Sequence, residues 1–214
     1  LQILKKLESG SIDILVGTQM IVKGHDFPNV TFVGVVSADT SLHFPDFRSS
    51  ERTFQLLTQV AGRAGRGEVL GEVVIQTFNP DHYSILRAKD HDYIGFYQEE
   101  IEFRKALEYP PFSRFINFRL VGNSEKRTKG MAEEMGGIGQ SLLKKGYGKG
   151  IEILGPSPAP FAKMRGKFRW QMLAKGKSPQ VLHQFAQALA SRMEAPLKGK
   201  GVNLDIDVDP VFIL

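Results

Sequence analysis

The sequence predicts a parallel α/β layer followed by an α+β domain of ferredoxin-like order, and three observations carry that reading. Short apolar runs alternate with helically spaced segments through residues 1–79. Two consecutive prolines, Pro110 and Pro111, then break any helix. Beyond them the signals follow a β-α-β-β-α-β order.

In chain order, LQILKKLE (1–8) has helical spacing, IDILV (12–16) is a short apolar strand bounded by glycines, and TFVGVVSA (31–38) is a second strand. SSERTFQLLTQVAGRAG (49–65) is a helix with a serine available as N-cap, and GEVVIQTF (71–78) is a third strand. Three parallel strands make a thin sheet, so further strands are expected upstream of residue 1. Residues 80–108 read as helical and heavily charged, ending at YPPF (109–112), which places a domain boundary after Pro110. In the second domain, 111–214, RFINFRLVG (114–122) alternates as a strand, and 124–146 is a helix weakened by glycines. IEILGPSPAPF (151–161) runs from a strand into a proline-rich bend, and KFRWQMLAK (167–175) alternates again. The helix 178–194 has Ser178 at its N-cap and Pro179 at its first position, and VNLDIDVD (202–209) is a closing strand.

The 214 residues are 42% apolar, enough to build cores, and contain no cysteine, which excludes disulfides and thiolate metal sites. The five histidines show no ligand spacing, so no metal site is expected in this chain. No apolar run reaches membrane-spanning length and no signal peptide is visible, which points away from a membrane and toward a cytosolic compartment. The net charge of +5 is uneven: residues 1–110 hold 11 basic and 15 acidic residues, whereas 111–214 hold 17 and 8. The two halves are therefore expected to do different jobs.

Within QVAGRAGRG (59–67), Gln59, Arg63 and Arg66 stand at i, i+4 and i+7 of the predicted helix and share one face. Ala61, Gly62, Ala64 and Gly65 keep that face low, so an anion as bulky as a triphosphate can approach two guanidinium forks. A solvated helix end, where arginine also favours the dipole, is the plain alternative. GTQMIVKGHDFPNV (17–30) leaves the predicted strand 12–16 on the side where open α/β sheets bind ligands. Thr18 can cap a short helix that Gly24 ends, with Asp26 projecting from the turn, although an ordinary capped turn would look the same.

In the basic half, no acidic residue occurs from Ser157 to Met193, and Lys163, Arg165, Lys167, Arg169, Lys175 and Lys177 fall within fifteen positions. On a strand, Lys167, Arg169, Gln171 and Leu173 share one face, with Phe168, Trp170 and Met172 on the other. A nucleic-acid surface and a solvated basic sheet face both fit this pattern, and Trp170 reads as core.

Taken together, ILVGTQMIVKGHDFPNV resembles motif V, and QLLTQVAGRAGRG motif VI, of the second RecA-like lobe of superfamily 2 helicases. The segments ADTSLHFPDFRSSERTFQLL, YPPFSRF, GPSPAP and KFRWQ are closer still to the primosomal replication-restart helicases of bacteria, over nearly the whole chain. The resemblance implies that 1–110 is the C-terminal part of that lobe with trailing helices. It implies that 111–214 is a ribosomal S10-like domain binding DNA and protein. It assigns Arg63 and Arg66 to the ATP γ-phosphate with Gln59 in support, Gly24 and Asp26 to the nucleotide side, and Thr18 and Gln19 to the nucleic-acid backbone. Lys163, Arg165, Lys167 and Arg169 are the candidate DNA contacts of the second half. Implied cofactors are ATP with Mg2+, with zinc in a region upstream of this chain. Implied partners are single-stranded and forked DNA, the acidic tail of single-strand binding protein and other primosome proteins, in the bacterial cytoplasm. Asp39, Asp46, Arg48 and Glu51 lie in the family-like segment with no definite role.

Neither a Walker A loop nor a Walker B pair is present. Gly176-Lys177-Ser178 imitates the tail of the former, but its required first glycine falls on Gln171. The chain is thus expected to carry half of an ATPase site and to be inactive alone. Another superfamily 2 motor, and a stand-alone nucleic-acid or protein-binding module, remain as alternatives at this stage.

Overall fold

The computed structural model describes residues 2–18, 30–62 and 71–213. They divide into two compact units, Leu1–Phe103 and Arg104–Leu214. Residues just beyond that division are held by the second unit. The Tyr109 ring meets Phe115 edge-on at 5.9 Å, the Ser113 hydroxyl donates to the Glu108 carbonyl, and Lys177 pairs with the Glu108 carboxylate at 2.6 Å.

In the first unit, helix α1 (Gln2–Glu8) is followed by strand β1 (Phe32–Val35), helices α2 (Asp39–Leu42) and α3 (Ser49–Ala61), strand β2 (Glu72–Ile75), helix α4 (Tyr83–Lys89) and the start of helix α5 (Tyr93–Ala106). β1 and β2 pair in parallel, from Phe32 opposite Glu72 to Val35 opposite Ile75. Thr53, Phe54, Leu57 and Val60 lie at helical spacing and bury one face of α3. Phe54 stacks on Phe96 of α5 at 4.2 Å between ring centres, and Leu57, Ile85 and Ala88 complete the buried cluster.

Two expectations are corrected here. The segment 12–16 is not a strand: Ile14 and Val16 are 81% and 88% exposed. An apolar run becomes a strand only where an edge accepts its N–H and C=O groups and a layer covers one face, and no described residue offers it either. The N-cap of α3 is Arg48 rather than a serine, and its side chain makes no capping bond. Ser49 is the first helical residue, and its buried hydroxyl points back to the carbonyls of Phe44 and Asp46. Asp46 takes over the end of the helix, accepting from the Arg48 N–H at 2.9 Å and from Arg52 Nη1 at 2.9 Å.

The second unit runs β3 (Arg114–Gly122), α6 (Glu125–Lys144), β4 (Glu152–Met164), β5 (Lys167–Gly176), α7 (Pro179–Leu197) and β6 (Val202–Val208). The sheet order is β4-β5-β3-β6 with every neighbour antiparallel, the ferredoxin-like arrangement. Ser124 and Ser178 cap the two helices by accepting from the N–H groups of Arg127 and Val181. Phe118, Leu120 and Met172 from the sheet meet Met135 and Leu142 of α6 and Phe185 and Leu189 of α7, all essentially without exposure. Trp170 packs against this cluster.

The glycines of α6 now have separate explanations. A Cβ on Gly136 would lie 2.8 Å from Pro156 Cδ, and one on Gly139 would lie 3.0 Å from Ile153 Cδ1, so both let the helix press onto β4. Gly130 and Gly137 meet nothing within 4 Å. Gly137→Ala should therefore stabilise the second unit by up to about 1 kcal/mol through helix propensity. Gly136→Ala should destabilise it by about 1–3 kcal/mol through overpacking. Urea titration followed by fluorescence of Trp170, the single tryptophan, reads both.

Candidate nucleotide and nucleic-acid sites

The C-terminal ends of the two parallel strands define one edge of the first unit, the edge at which open α/β sheets bind ligands. Asp39 organises it. Its carboxylate accepts from Asn79 Nδ2 at 2.8 Å, the Phe78 N–H at 3.0 Å and Thr77 Oγ1 at 3.1 Å, tying the segment after β2 to the helix after β1. Burial by itself would raise its pKa. The donors from Asn79, Phe78 and Thr77 outweigh burial and hold the group below its ordinary 3.8.

The next segment is clamped to the first turn of α3 by the Asp46–Arg52 pair, in which the Asp46 side chain has no exposure, while within the helix Thr53 Oγ1 donates to the Ser49 carbonyl at 2.8 Å. Arg48 lies over the Phe47 ring at 4.1 Å, and Glu51 accepts from Gln55. α3 ends at Ala61 with Gly62 as its C-cap, short of the residue 65 expected from the pattern, and Gln59 is exposed in its last turn. The Gly62 N–H donates to the Thr58 carbonyl at 3.1 Å. Thr18 is exposed in irregular backbone. Gln19, Gly24, Asp26, Arg63 and Arg66 lie outside the described residues. Gln59 is the described member of the Gln59, Arg63 and Arg66 set. No group of three or more His, Asp or Glu among the described residues is arranged to hold a metal, and no described helix is long and apolar enough to cross a membrane.

In the second unit the basic residues separate into three environments. Lys163, Arg165 and Lys167 are exposed at the tip of the β4–β5 hairpin. Arg169 is not on a solvated face: it is 7% exposed, with Nη1 3.9 Å from Met164 Sδ. Burial lowers its pKa, the Arg119 charge lowers it further, and Asp205 opposes both. Gln171 is likewise buried. Their cross-strand neighbours on β3 are Val121, opposite Arg169, and Arg119, opposite Gln171, and alternation along a strand does not distinguish a covered face from a solvated one. Lys175 and Lys177 are paired with Glu152 at 2.7 Å and Glu108 at 2.6 Å around a cavity of about 340 Å³ that Lys149 and Ser178 also line. Nothing local in the sequence announces those carboxylate partners, which come from other elements. Gly176-Lys177-Ser178 is the junction of β5 with the capped start of α7.

The depressed pKa of Asp39 fixes the sign of a pH effect. Its stabilisation is complete above the unfolded value near 3.8 and is lost as pH falls through the folded value. Asp39→Asn should lower the melting temperature of the first unit at pH 7, and the gap from the parent should close below pH 3.8. A gap that stays constant down to pH 3 (~1 unit below that value) would remove the carboxylate from this role.

Comparison with known proteins gives matches to both units. Residues 105–211 match the family described as primosomal protein N C-terminal domain, and residues 1–68 match the helicase conserved C-terminal domain. Replication restart protein PriA of Bacillus subtilis is 43% identical over 213 residues, covering 100% of this chain and 26% of that protein. The corresponding proteins of Treponema pallidum (42% over 213 residues, 100% of this chain, 31% of that protein) and Haemophilus influenzae (39% over 208 residues, 97% and 28%) are similar over the same extent. The chain thus spans about a quarter to a third of the length of these curated relatives. With its second unit matched by the primosomal domain and its first by the helicase domain, the chain belongs to the PriA family of replication restart proteins.

Proposed function

We propose that this chain is the C-terminal part of an ATP-dependent DNA helicase that recognises and remodels stalled or branched replication forks so that replication can restart. One observation carries the reading: a helicase C-terminal domain and a primosomal C-terminal domain follow one another in a single chain whose whole length aligns with part of replication restart proteins. In this reading Arg63 and Arg66 stabilise the charge that develops on the γ-phosphate, and Gln59 holds their register. Gly24 and Asp26 approach the nucleotide, and Thr18 and Gln19 touch the DNA backbone, so the segment 17–30 passes the nucleotide state to the grip on the strand.

Bound ATP with Mg2+ supplies the phosphoryl chemistry. The chain itself supplies guanidinium donors, an amide and a glycine-lined approach, supported by the exposure of Gln59 in the last turn of α3. Without a Walker A loop or a Walker B carboxylate pair it is half of the ATPase site. Single-stranded and forked DNA are the proposed nucleic-acid partners. The excess of basic residues beyond Pro110 suits both DNA and the acidic tail of single-strand binding protein, and other primosome proteins complete the assembly. Zinc belongs to the region upstream of this chain, and the location is the bacterial cytoplasm.

In the full-length protein carrying this sequence, Arg66→Ala should lower DNA-stimulated ATP hydrolysis by about a hundredfold or more while DNA affinity is unchanged. An unchanged rate would return QVAGRAGRG to a structural role. The 214-residue chain alone should show no hydrolysis in a single-turnover assay, and a signal abolished by Arg66→Ala would contradict the half-site reading.

A further inference from the structure

The chain passes from α6 to β4 through KKGYGKGI (144–151), which sets three lysines and one aromatic ring among glycines. Gly146, Gly148 and Gly150 hold φ of +86°, +90° and +81°, so the backbone turns at every second residue. Gly148 is pressed against the core: a Cβ there would lie 2.8 Å from Ile151 Cδ1, 3.0 Å from Leu143 Cδ2 and 3.3 Å from Phe185 Cδ2. The N–H groups of Gly146, Tyr147 and Ile151 donate to the carbonyls of Leu143, Leu142 and Gly148 at 3.0, 3.1 and 2.9 Å. Tyr147 and Lys149 therefore leave the loop on either side of an anchored residue, and little ordering of the backbone is left for binding to do.

Tyr147 is 48% exposed, and the Arg192 guanidinium of α7 lies over its ring at 5.4 Å. An aromatic ring on a fixed backbone, half in water and beside a cation, is a platform for another flat ring. Lys144, Lys145 and Lys149 are exposed, and among the described residues neither they nor Arg192 form an ion pair. No Asp or Glu occurs between Glu134 and Glu152, and Glu152 is paired with Lys175 at 2.7 Å. Lys149 also lines the cavity of about 340 Å³ in which Glu108 holds Lys177, so it is the cation of that cavity without a carboxylate.

A ligand that matches this surface carries flat rings free to stack, with negative charge close beside them. Single-stranded nucleic acid has both, since its unpaired bases stack on aromatic side chains while cations track its backbone. Continuous duplex offers phosphates with its bases already stacked inside, and an acidic peptide offers charge without a succession of rings. We infer that the α6–β4 loop is a single-strand DNA site: a base stacks on the Tyr147 ring beside Arg192, and Lys144, Lys145 and Lys149 hold the neighbouring phosphates. The inference rests on the proposed DNA-binding function and adds a single-strand contact at the other end of β4 from the basic hairpin tip.

The 214-residue chain is titrated by fluorescence anisotropy with a labelled oligothymidylate, with an abasic strand of the same length and with a fork, at several salt concentrations. The parent should bind the oligothymidylate about tenfold more tightly than the abasic strand, which has the phosphates without the bases. Tyr147→Leu should abolish most of that difference and keep the parent salt slope, and Tyr147→Phe should restore it. Lys144→Ala/Lys145→Ala/Lys149→Ala should weaken both strands and lower the slope of log affinity against log salt by roughly 2. All four positions are exposed, and Trp170 fluorescence during urea titration checks the folding of each variant.

Variants that both bind as the parent does overturn the assignment. So does a lysine variant that weakens binding beside a Tyr147→Leu variant that still prefers the oligothymidylate, since the loop is then a phosphate tether without a stacking platform. A polyglutamate peptide that the parent binds and both variants lose, with every DNA bound as by the parent, overturns it in favour of a protein contact. If the 214-residue chain binds no DNA while the full-length protein binds the fork, this site fails and the function reading stands. If neither binds any of the three DNAs, the function reading fails as well.

Discussion

The Asp39 carboxylate is the fixed point of the first unit. β1 and β2 are only four residues long and form the whole of the described parallel sheet, so their hydrogen-bond ladder offers little stability by itself. Asp39 adds three donors from the segment leaving β2, and it stands where β1 turns into α2. From there Asp46 and Arg52 set the start of α3, and the Phe54–Phe96 stack sets its inner face. The direction in which α3 presents Gln59 therefore depends on carboxylates that take no part in the proposed chemistry. A ligand-facing helix end must be held within a fraction of an ångström of its working position, and rigid neighbours do that better than the loop itself.

The second unit solves a different problem. Its four-stranded sheet and two helices bury a continuous apolar core, and the close approach of α6 to β4 depends on Gly136 and Gly139. The proposed chemistry of the first unit is concentrated in two short segments, 17–30 and 59–67.

Much of this was legible in the sequence, for physical reasons that differ by element. The β-α-β-β-α-β order followed from alternation in RFINFRLVG and KFRWQMLAK and from Ser178-Pro179 at a helix start, because local pattern and local packing agree there. The strand expected at 12–16 failed because an apolar run carries no information about whether an edge is present to receive it. Arg169 and Gln171 were read onto a solvated face because strand alternation assigns sides but does not reveal which of them is covered. Asp39 and Asp46 stood out in the family-like segment without a role, since their partners Thr77 to Asn79 and Arg52 become neighbours only on folding. Gln59 was identified from its spacing to Arg63 and Arg66, and it is the described member of that set.

The central claim is that this chain completes an ATPase site with the end of α3 and the segment 17–30. Hydrogen exchange of the full-length protein, compared without nucleotide, with Mg-ADP, and with Mg-ADP plus aluminium fluoride as a mimic of the transferring phosphoryl group, tests it most directly. The account predicts added protection at residues 59–67 and 17–30 that is strongest with the mimic and weaker with ADP alone. Exchange in both segments that is the same in all three conditions, while the upstream part of the protein is protected, would contradict it.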